Sequence, residues 1–179
     1  MAILVAILCL AAPAAADPWQ AARQPGAVLM LRHAIAPGTG DPPGFRLDDC
    51  STQRNLDALG RAQARAIGAE LARRGLRPDR VLTSAWCRAR DTAALLGFNP
   101  PEELEALNSF FGDRPNEPAQ TAALRRFLAE EDPEARLVMV THQVNITALT
   151  GLVPRSGEIV VILRDAEGGL EVAGRIAPP

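Results

Sequence analysis

Residues 28–40 read VLMLRHAIAPGTG. Val28 to Leu31 form an unbroken apolar run, the pattern of a strand buried on both faces. Arg32 and His33 follow at once, and Pro37 and Gly38 then open a loop. The order predicts a buried strand whose carboxyl end delivers a guanidinium and an imidazole into a crevice. The chain has two histidines. The second, His142, ends a run of the same kind, RLVMVT at 136–141. A lone histidine after a strand is usually structural; here the placement occurs twice.

Working outward, RVLT at 80–83 reads as a short strand, followed by Ser84-Ala85-Trp86-Cys87-Arg88. Between the first two strands, Asp57 is placed to cap a helix and Gly75 to end it. Leu59, Ala62, Ala66, Ile67 and Leu71 recur at helical spacing and predict its buried face. Further helices are predicted over 88–96, 118–131 and 144–150, the first and last stopped by Gly97 and Gly151. EIVVIL at 158–163 and LEVAGR at 170–175 predict a hairpin around Glu167-Gly168-Gly169. Residues 34–55 form a loop rich in Pro, Gly and Asp, and a loop of that length in a compact domain is usually functional.

Strands alternating with helices predict an α/β fold, a three-layer α/β/α arrangement with a mostly parallel central sheet. Such sheets bind ligands beyond the carboxyl ends of their strands. Arg32, His33, Arg88 and His142 are therefore expected at one crevice.

The bulk numbers narrow the partners. The 179 residues suffice for one domain with a sizeable core. A net charge of −2 gives no electrostatic basis for nucleic-acid binding. All 19 basic residues are Arg, so any anion site must use guanidinium forks. The first nineteen residues, MAILVAILCLAAPAAADPW, present an apolar run ending in Ala14-Ala15-Ala16, an export-signal pattern with cleavage expected after Ala16. That would leave residues 17–179 as a single domain, periplasmic or secreted, with no stable membrane insertion of the mature chain. An uncleaved anchor is the lesser alternative. Cys50 and Cys87 would remain, and two cysteines in an exported chain suggest one disulfide; two buried thiols or a zinc set with the histidines are the other readings.

Two guanidinium forks can hold a phosphoryl group. A neutral imidazole can attack its phosphorus, and a second can steady the charge on its oxygens. This scheme requires no metal and no cofactor. It needs His33 neutral, and His142 serves best as a cation.

At these residues the chain resembles the histidine phosphatase superfamily, branch 1, whose fold is that of phosphoglycerate mutase. Arg32-His33-Ala34 matches the family's Arg-His-(Gly/Ala). Leu56 to Ala64 resembles its Leu-(Ser/Thr)-x-x-Gly-x-x-Gln-Ala helix start. Ser84, Arg88, Thr92 and Ala93 match Ser-x-x-x-Arg-x-x-x-Thr-Ala, and Val138 to His142 matches the strand before the second histidine. The resemblance implies that His33 is the phosphorylated nucleophile, that Arg32 and Arg88 bind phosphate, and that His142 stabilises the transferring group. The Gln143 backbone amide could add a contact. Asp48 to Leu56 is similar to the branch that includes exported lipopolysaccharide core heptose phosphatases. A periplasmic location suggests a small-molecule or envelope phosphomonoester as substrate; Arg54 reads as an extra substrate contact or a solvated charge, and Arg46 as an ordinary loop charge.

The departure lies at Asn108, where a general acid is expected. Asp48, Asp49 or Glu158 are the substitutes the sequence offers. The alternative reading is a non-catalytic phosphate or phospho-sugar binding protein that has lost its acid. A phosphomutase fits less well because the chain lacks evident insertions. Trp86 is expected to pack beside the site or in the core, and the sequon at Asn145 falls too close to His142 to be used.

Overall fold

The computed structural model describes residues 17–165 and 168–179. The expected leader and Glu167 of the hairpin turn lie outside the described residues. In order, the elements are α1 (Pro18–Ala22), β1 (Val28–Arg32), α2 (Ala58–Arg73), β2 (Arg80–Thr83), α3 (Cys87–Leu95), β3 (Glu102–Glu103), α4 (Glu117–Glu130), β4 (Leu137–Thr141), α5 (Gln143–Thr150), β5 (Ile159–Arg164) and β6 (Leu170–Ile176). The strands form one sheet in the order β3-β2-β4-β1-β5-β6. The first four in that order are mutually parallel, and β5 runs antiparallel to both of its neighbours, β1 and β6.

Alternation along the strands sorts the core into two layers. Leu29, Leu31, Val138 and Val140 pack with Ile67 and Leu71 of α2 and Ala89 and Ala93 of α3. Val28, Met30, Leu137 and Met139 pack with Leu124 and Leu128 of α4 and Ile146 and Leu149 of α5. The sheet is thus covered on both faces, as the continuous apolar strands predict. Among the described residues no helix is long and apolar enough to cross a membrane.

The buried face of α2 differs from the one its apolar spacing predicts. It is formed by Gly60, Ala64, Ile67, Gly68 and Leu71, while Leu59 is 63% exposed and Ala62 and Ala66 face solvent. The cause is backbone approach. A Cβ on Gly60 would lie 1.9 Å from the Ile35 carbonyl oxygen, and one on Gly68 2.0 Å from that of Leu96. The glycines let α2 sit directly on two other backbone segments, and this contact sets its rotation. The two-residue edge strand Glu102–Glu103 carries no strand signal of its own. Its pairing with Leu82 and Thr83 and the Arg80 fork on Glu102 hold it there.

Register places the site. β1 and β4 pair with Arg32 opposite Thr141, so the next residues, His33 and His142, emerge side by side. The His33 amide continues the ladder, donating to the Thr141 carbonyl at 2.9 Å. β2 lies on the other side of β4, and Ser84 donates its amide to the Val140 carbonyl at 3.1 Å.

Candidate active site

The four residues expected at one crevice all line a cavity of about 680 Å³ at the carboxyl ends of β1, β2 and β4. The imidazole centroids of His33 and His142 are 5.5 Å apart, and both side chains are buried. His33 Nδ1 lies 2.7 Å from the Ala34 carbonyl oxygen. A carbonyl only accepts, so Nδ1 carries the proton and Nε2 of the neutral ring keeps a free lone pair. His142 Nε2 lies 2.8 Å from Ser84 Oγ.

Both arginines are anchored by their terminal nitrogens. Arg32 Nη1 donates to the Pro154 carbonyl at 2.9 Å. Arg88 forks onto Asp41, Nη1 to Oδ1 at 2.6 Å and Nη2 to Oδ2 at 3.1 Å. Their Nε–H groups are buried with no hydrogen-bond partner. Only four buried side-chain polar atoms among the described residues are in that condition, and these are two of them. A buried donor left unpaired costs free energy, so its recurrence on both guanidinium groups marks a place built for an acceptor.

The matched motifs act largely through this geometry. Thr92 Oγ1 accepts the Ala34 amide at 3.0 Å and donates to the Arg88 carbonyl, tying α3 to the residue after His33. Gln63 accepts the Ile35 amide and donates to the Ser156 carbonyl. Gly60 admits the Ile35 carbonyl against α2. The chain leaving β1 is therefore held from two helices at once. Gln143 begins α5 and lines the cavity, and its amide is among the N–H groups a helix start leaves unpaired.

The opposite wall comes from the long loop. Arg54 lines the cavity, and its guanidinium donates to the Gly40 and Ala36 carbonyls. It is a cavity residue rather than a solvated charge. Arg46, by contrast, is exposed and pairs with Asp48 and Asp49. Cys50 and Cys87 form a disulfide, which fastens the loop to the first residue of α3 beside Arg88 and takes both sulfurs out of any zinc set. Trp86 is buried but also lines the cavity, edge-on to His142 at 5.4 Å.

Burial and the surrounding cations set the charge states. Desolvation pushes His33 down to about 3, with Arg88, Arg54 and Arg32 acting in the same direction and the Ala34 bond opposing them. His33 is neutral at pH 7, as an attacking imidazole must be. Desolvation, then His33 and the same three arginines, hold His142 well below the usual histidine range. His142 is thus neutral in the unliganded protein rather than the expected cation. Desolvation and the Arg88 charge also lower Arg32.

The acids expected from sequence stand elsewhere. Asp49 accepts from Ser51 and pairs with Arg46. Asp48 is exposed, and Glu158 is held by Arg175 and the Arg155 amide. None of the three lines the cavity; Asp41, Glu105 and Asp113 do. Asp41 is the residue sequence reading missed, because one carboxylate in a Gly- and Pro-rich loop carries no spacing signal. Asn108 does reach the cavity, with Oδ1 accepting the Ala85 amide at 2.8 Å. Asn145 is buried and donates to the Asn108 carbonyl at 2.8 Å, so its sequon is part of the packing.

The family model described as histidine phosphatase superfamily (branch 1) matches residues 29–114. Over those residues the chain resembles this superfamily, as the sequence motifs implied. No curated protein sequence matches the chain. Among solved structures it is similar to the protein histidine phosphatase SixA complexed with tungstate, with a TM-score of 0.64 and 21% identity over 85% of this chain and 97% of that one. A mycobacterial glucosyl-3-phosphoglycerate phosphatase gives 0.59 and 18%, covering 83% and 98%. A phosphoserine phosphatase from Entamoeba histolytica, in complex with 3-phosphoglyceric acid, gives 0.61 and 13%, covering 84% and 96%. At these identities the likeness establishes the fold, which is the phosphoglycerate-mutase-like one the resemblance implied.

Proposed function

We propose that the chain is an exported phosphatase that hydrolyses phosphomonoesters through a phosphohistidine on His33. Arg32, Arg88 and His142 form its phosphate pocket, and residues 17–179 are the mature domain after a leader at 1–16. The observation that carries the reading is the free Nε2 lone pair of His33, fixed by its Nδ1–H bond to Ala34, beside two guanidinium groups with unpaired Nε–H donors.

In the first step Nε2 attacks phosphorus, the bond to the ester oxygen breaks, and that oxygen leaves with the bonding pair and takes a proton from solvent water. In the second, water attacks the phosphohistidine, releasing orthophosphate and restoring the imidazole. Each guanidinium offers a fixed N–H toward charge that spreads over the phosphoryl oxygens. A dianionic phosphoryl group offsets the cationic field of the three arginines at His142 and so favours its charged form. The disulfide supports export, because such bonds persist in oxidising compartments. The substrate class is a small-molecule or envelope phosphomonoester.

The test is hydrolysis of an aryl phosphate by the full chain and by a His33→Ala variant, with and without a chelator. An aryl leaving group needs little proton assistance. The expected result is turnover that ignores the chelator and falls by about 10⁴-fold or more in the variant, as removal of a nucleophile does elsewhere. A folded wild type that binds orthophosphate without turnover would favour the non-catalytic phosphate-binding reading.

A further inference from the structure

Asp41 is bound more completely than any other carboxylate at the cavity. Its two oxygens accept both terminal nitrogens of Arg88, the Trp86 indole Nε1–H at 3.0 Å and the Arg54 amide at 3.3 Å. Four N–H groups from α3, the turn before it and the loop thus converge on one side chain that sequence motifs do not mark. The Arg88 side chain is 3% exposed and that of Asp41 9%, so the pair is shielded from solvent.

A guanidinium presents two fork-shaped edges. One lies across the terminal nitrogens, and the other pairs Nε–H with a remaining terminal N–H. Asp41 takes the first edge of Arg88. The second includes the buried, partnerless Nε–H. Taking one edge fixes the plane of the whole group, because the guanidinium is rigid and planar. We propose that Asp41 is the positioning residue of the phosphate site: by holding the terminal fork of Arg88 it presents the Nε edge to the phosphoryl group. This inference rests on the phosphatase reading above.

The loop is built to keep Asp41 in place. The Arg54 guanidinium clips the backbone at Ala36 and Gly40, and the Cys50–Cys87 bridge fastens the far end of the same loop one residue from Arg88. Two other roles for Asp41 make opposite predictions. A carboxylate that competes with phosphate for Arg88 would weaken phosphate binding. A proton donor would matter more as the leaving group becomes more basic. The hydrogen bonds and charge of Arg88 hold Asp41 below the ordinary carboxylate range despite its burial, which suits a fixed anion and not a donor.

The experiment measures orthophosphate binding by calorimetry and kcat and KM on two aryl phosphates of different leaving-group pKa. It compares wild type, Asp41→Asn and Asp41→Glu, with thermal unfolding of each. Loss of positioning is expected to weaken orthophosphate binding and lower kcat/KM by about 10- to 100-fold in Asp41→Asn, equally for both esters. Asp41→Glu, which keeps a charged fork, should recover part of both. Tighter orthophosphate binding in Asp41→Asn would overturn the proposal in favour of competition. A loss that grows with leaving-group pKa would overturn it in favour of proton donation. Unchanged binding and rate would overturn it outright while leaving the phosphatase reading intact. A wild type that neither binds nor turns over would remove both. If Asp41→Asn does not fold, Asp41→Glu alone decides, because a lengthened fork should shift binding and rate without changing their leaving-group dependence.

Discussion

The two walls of the cavity are held by different means. His33 and His142 leave adjacent strands of a parallel ladder, and their separation follows from the pairing of Arg32 with Thr141. Asp41 and Arg54 belong to a loop without a regular ladder, held by side-chain hydrogen bonds and one disulfide. The difference shows how the fold divides its labour. The proposed attacking atom sits where backbone geometry is least adjustable, and the wall that shapes the cation field is assembled from individually replaceable contacts.

The largest effect distinguishing the walls concerns the ladder side. His33 has a folded pKa of about 3 against an ordinary 6.5. Between those values the unfolded chain binds the proton and the native one does not. Stability therefore falls as pH drops through 6.5, and the loss is complete below about pH 3, amounting to about 5 kcal/mol from this residue. With only two histidines in the chain, NMR titration reads both directly. Neither should titrate near 6.5 in the native protein, and both should in urea. A native histidine titrating normally would mean the strand ends are open to water.

On the loop side, the Cys50–Cys87 bridge spans 37 residues of sequence. Reduction is expected to cost about 4 kcal/mol in the chain-entropy account, measured by denaturant titration with and without reductant. It should also lower kcat/KM under conditions where the reduced protein stays folded. An unaltered kcat/KM after reduction would mean that the Arg54 and Asp41 hydrogen bonds hold the loop wall alone.

The seam between the walls is Gly60, where α2 meets the backbone two residues beyond His33. Gly60→Ala places a Cβ inside the Ile35 carbonyl contact. Overpacking of this kind costs about 1–3 kcal/mol. Because Ile35 is also held by Gln63, the shift should reach His33 and lower kcat as well as stability. A stable variant with reduced kcat would tie the ladder's precision to this contact.

The same division governs what was legible in the sequence. The ladder wall was: apolar runs gave the strands, their ends gave Arg32, His33 and His142, and the parallel fold gave the crevice. Arg88 followed because Ser84 to Arg88 comes directly after the short strand at 80–83. The α2 face was misjudged because apolar spacing does not register a helix that packs through glycine. Asp41 was invisible for a related reason. Its place depends on where a loop of more than twenty residues returns, and that is set by Arg54, Trp86 and a disulfide acting together. Asp48, Asp49 and Glu158 failed as cavity acids because each is already occupied locally, by Arg46, by Ser51 or by Arg175.

The smallest expected effect sets the outer boundary of the loop wall. Arg46 and Arg54 share the loop and the charge but differ in surroundings. Arg54 lines the cavity, where desolvation and its neighbour Arg88 lower its pKa to about 10. Arg46 pairs with Asp48 and Asp49 at the surface, with its side chain 61% exposed. Its backbone amide bonds Thr52 and its carbonyl accepts Gln53, contacts that an alanine would keep. Surface pairs contribute little, so Arg46→Ala should change stability by less than about 0.5 kcal/mol. kcat/KM on an aryl phosphate should be unchanged. The informative comparison repeats the measurement with a larger anionic ester at low and high salt. A salt-dependent loss for the larger ester alone would extend the substrate surface outward from Arg54 to Arg46. Equal rates would confine recognition to the cavity, and the stretch from Arg46 to Asp49 would serve only to carry the chain to its disulfide.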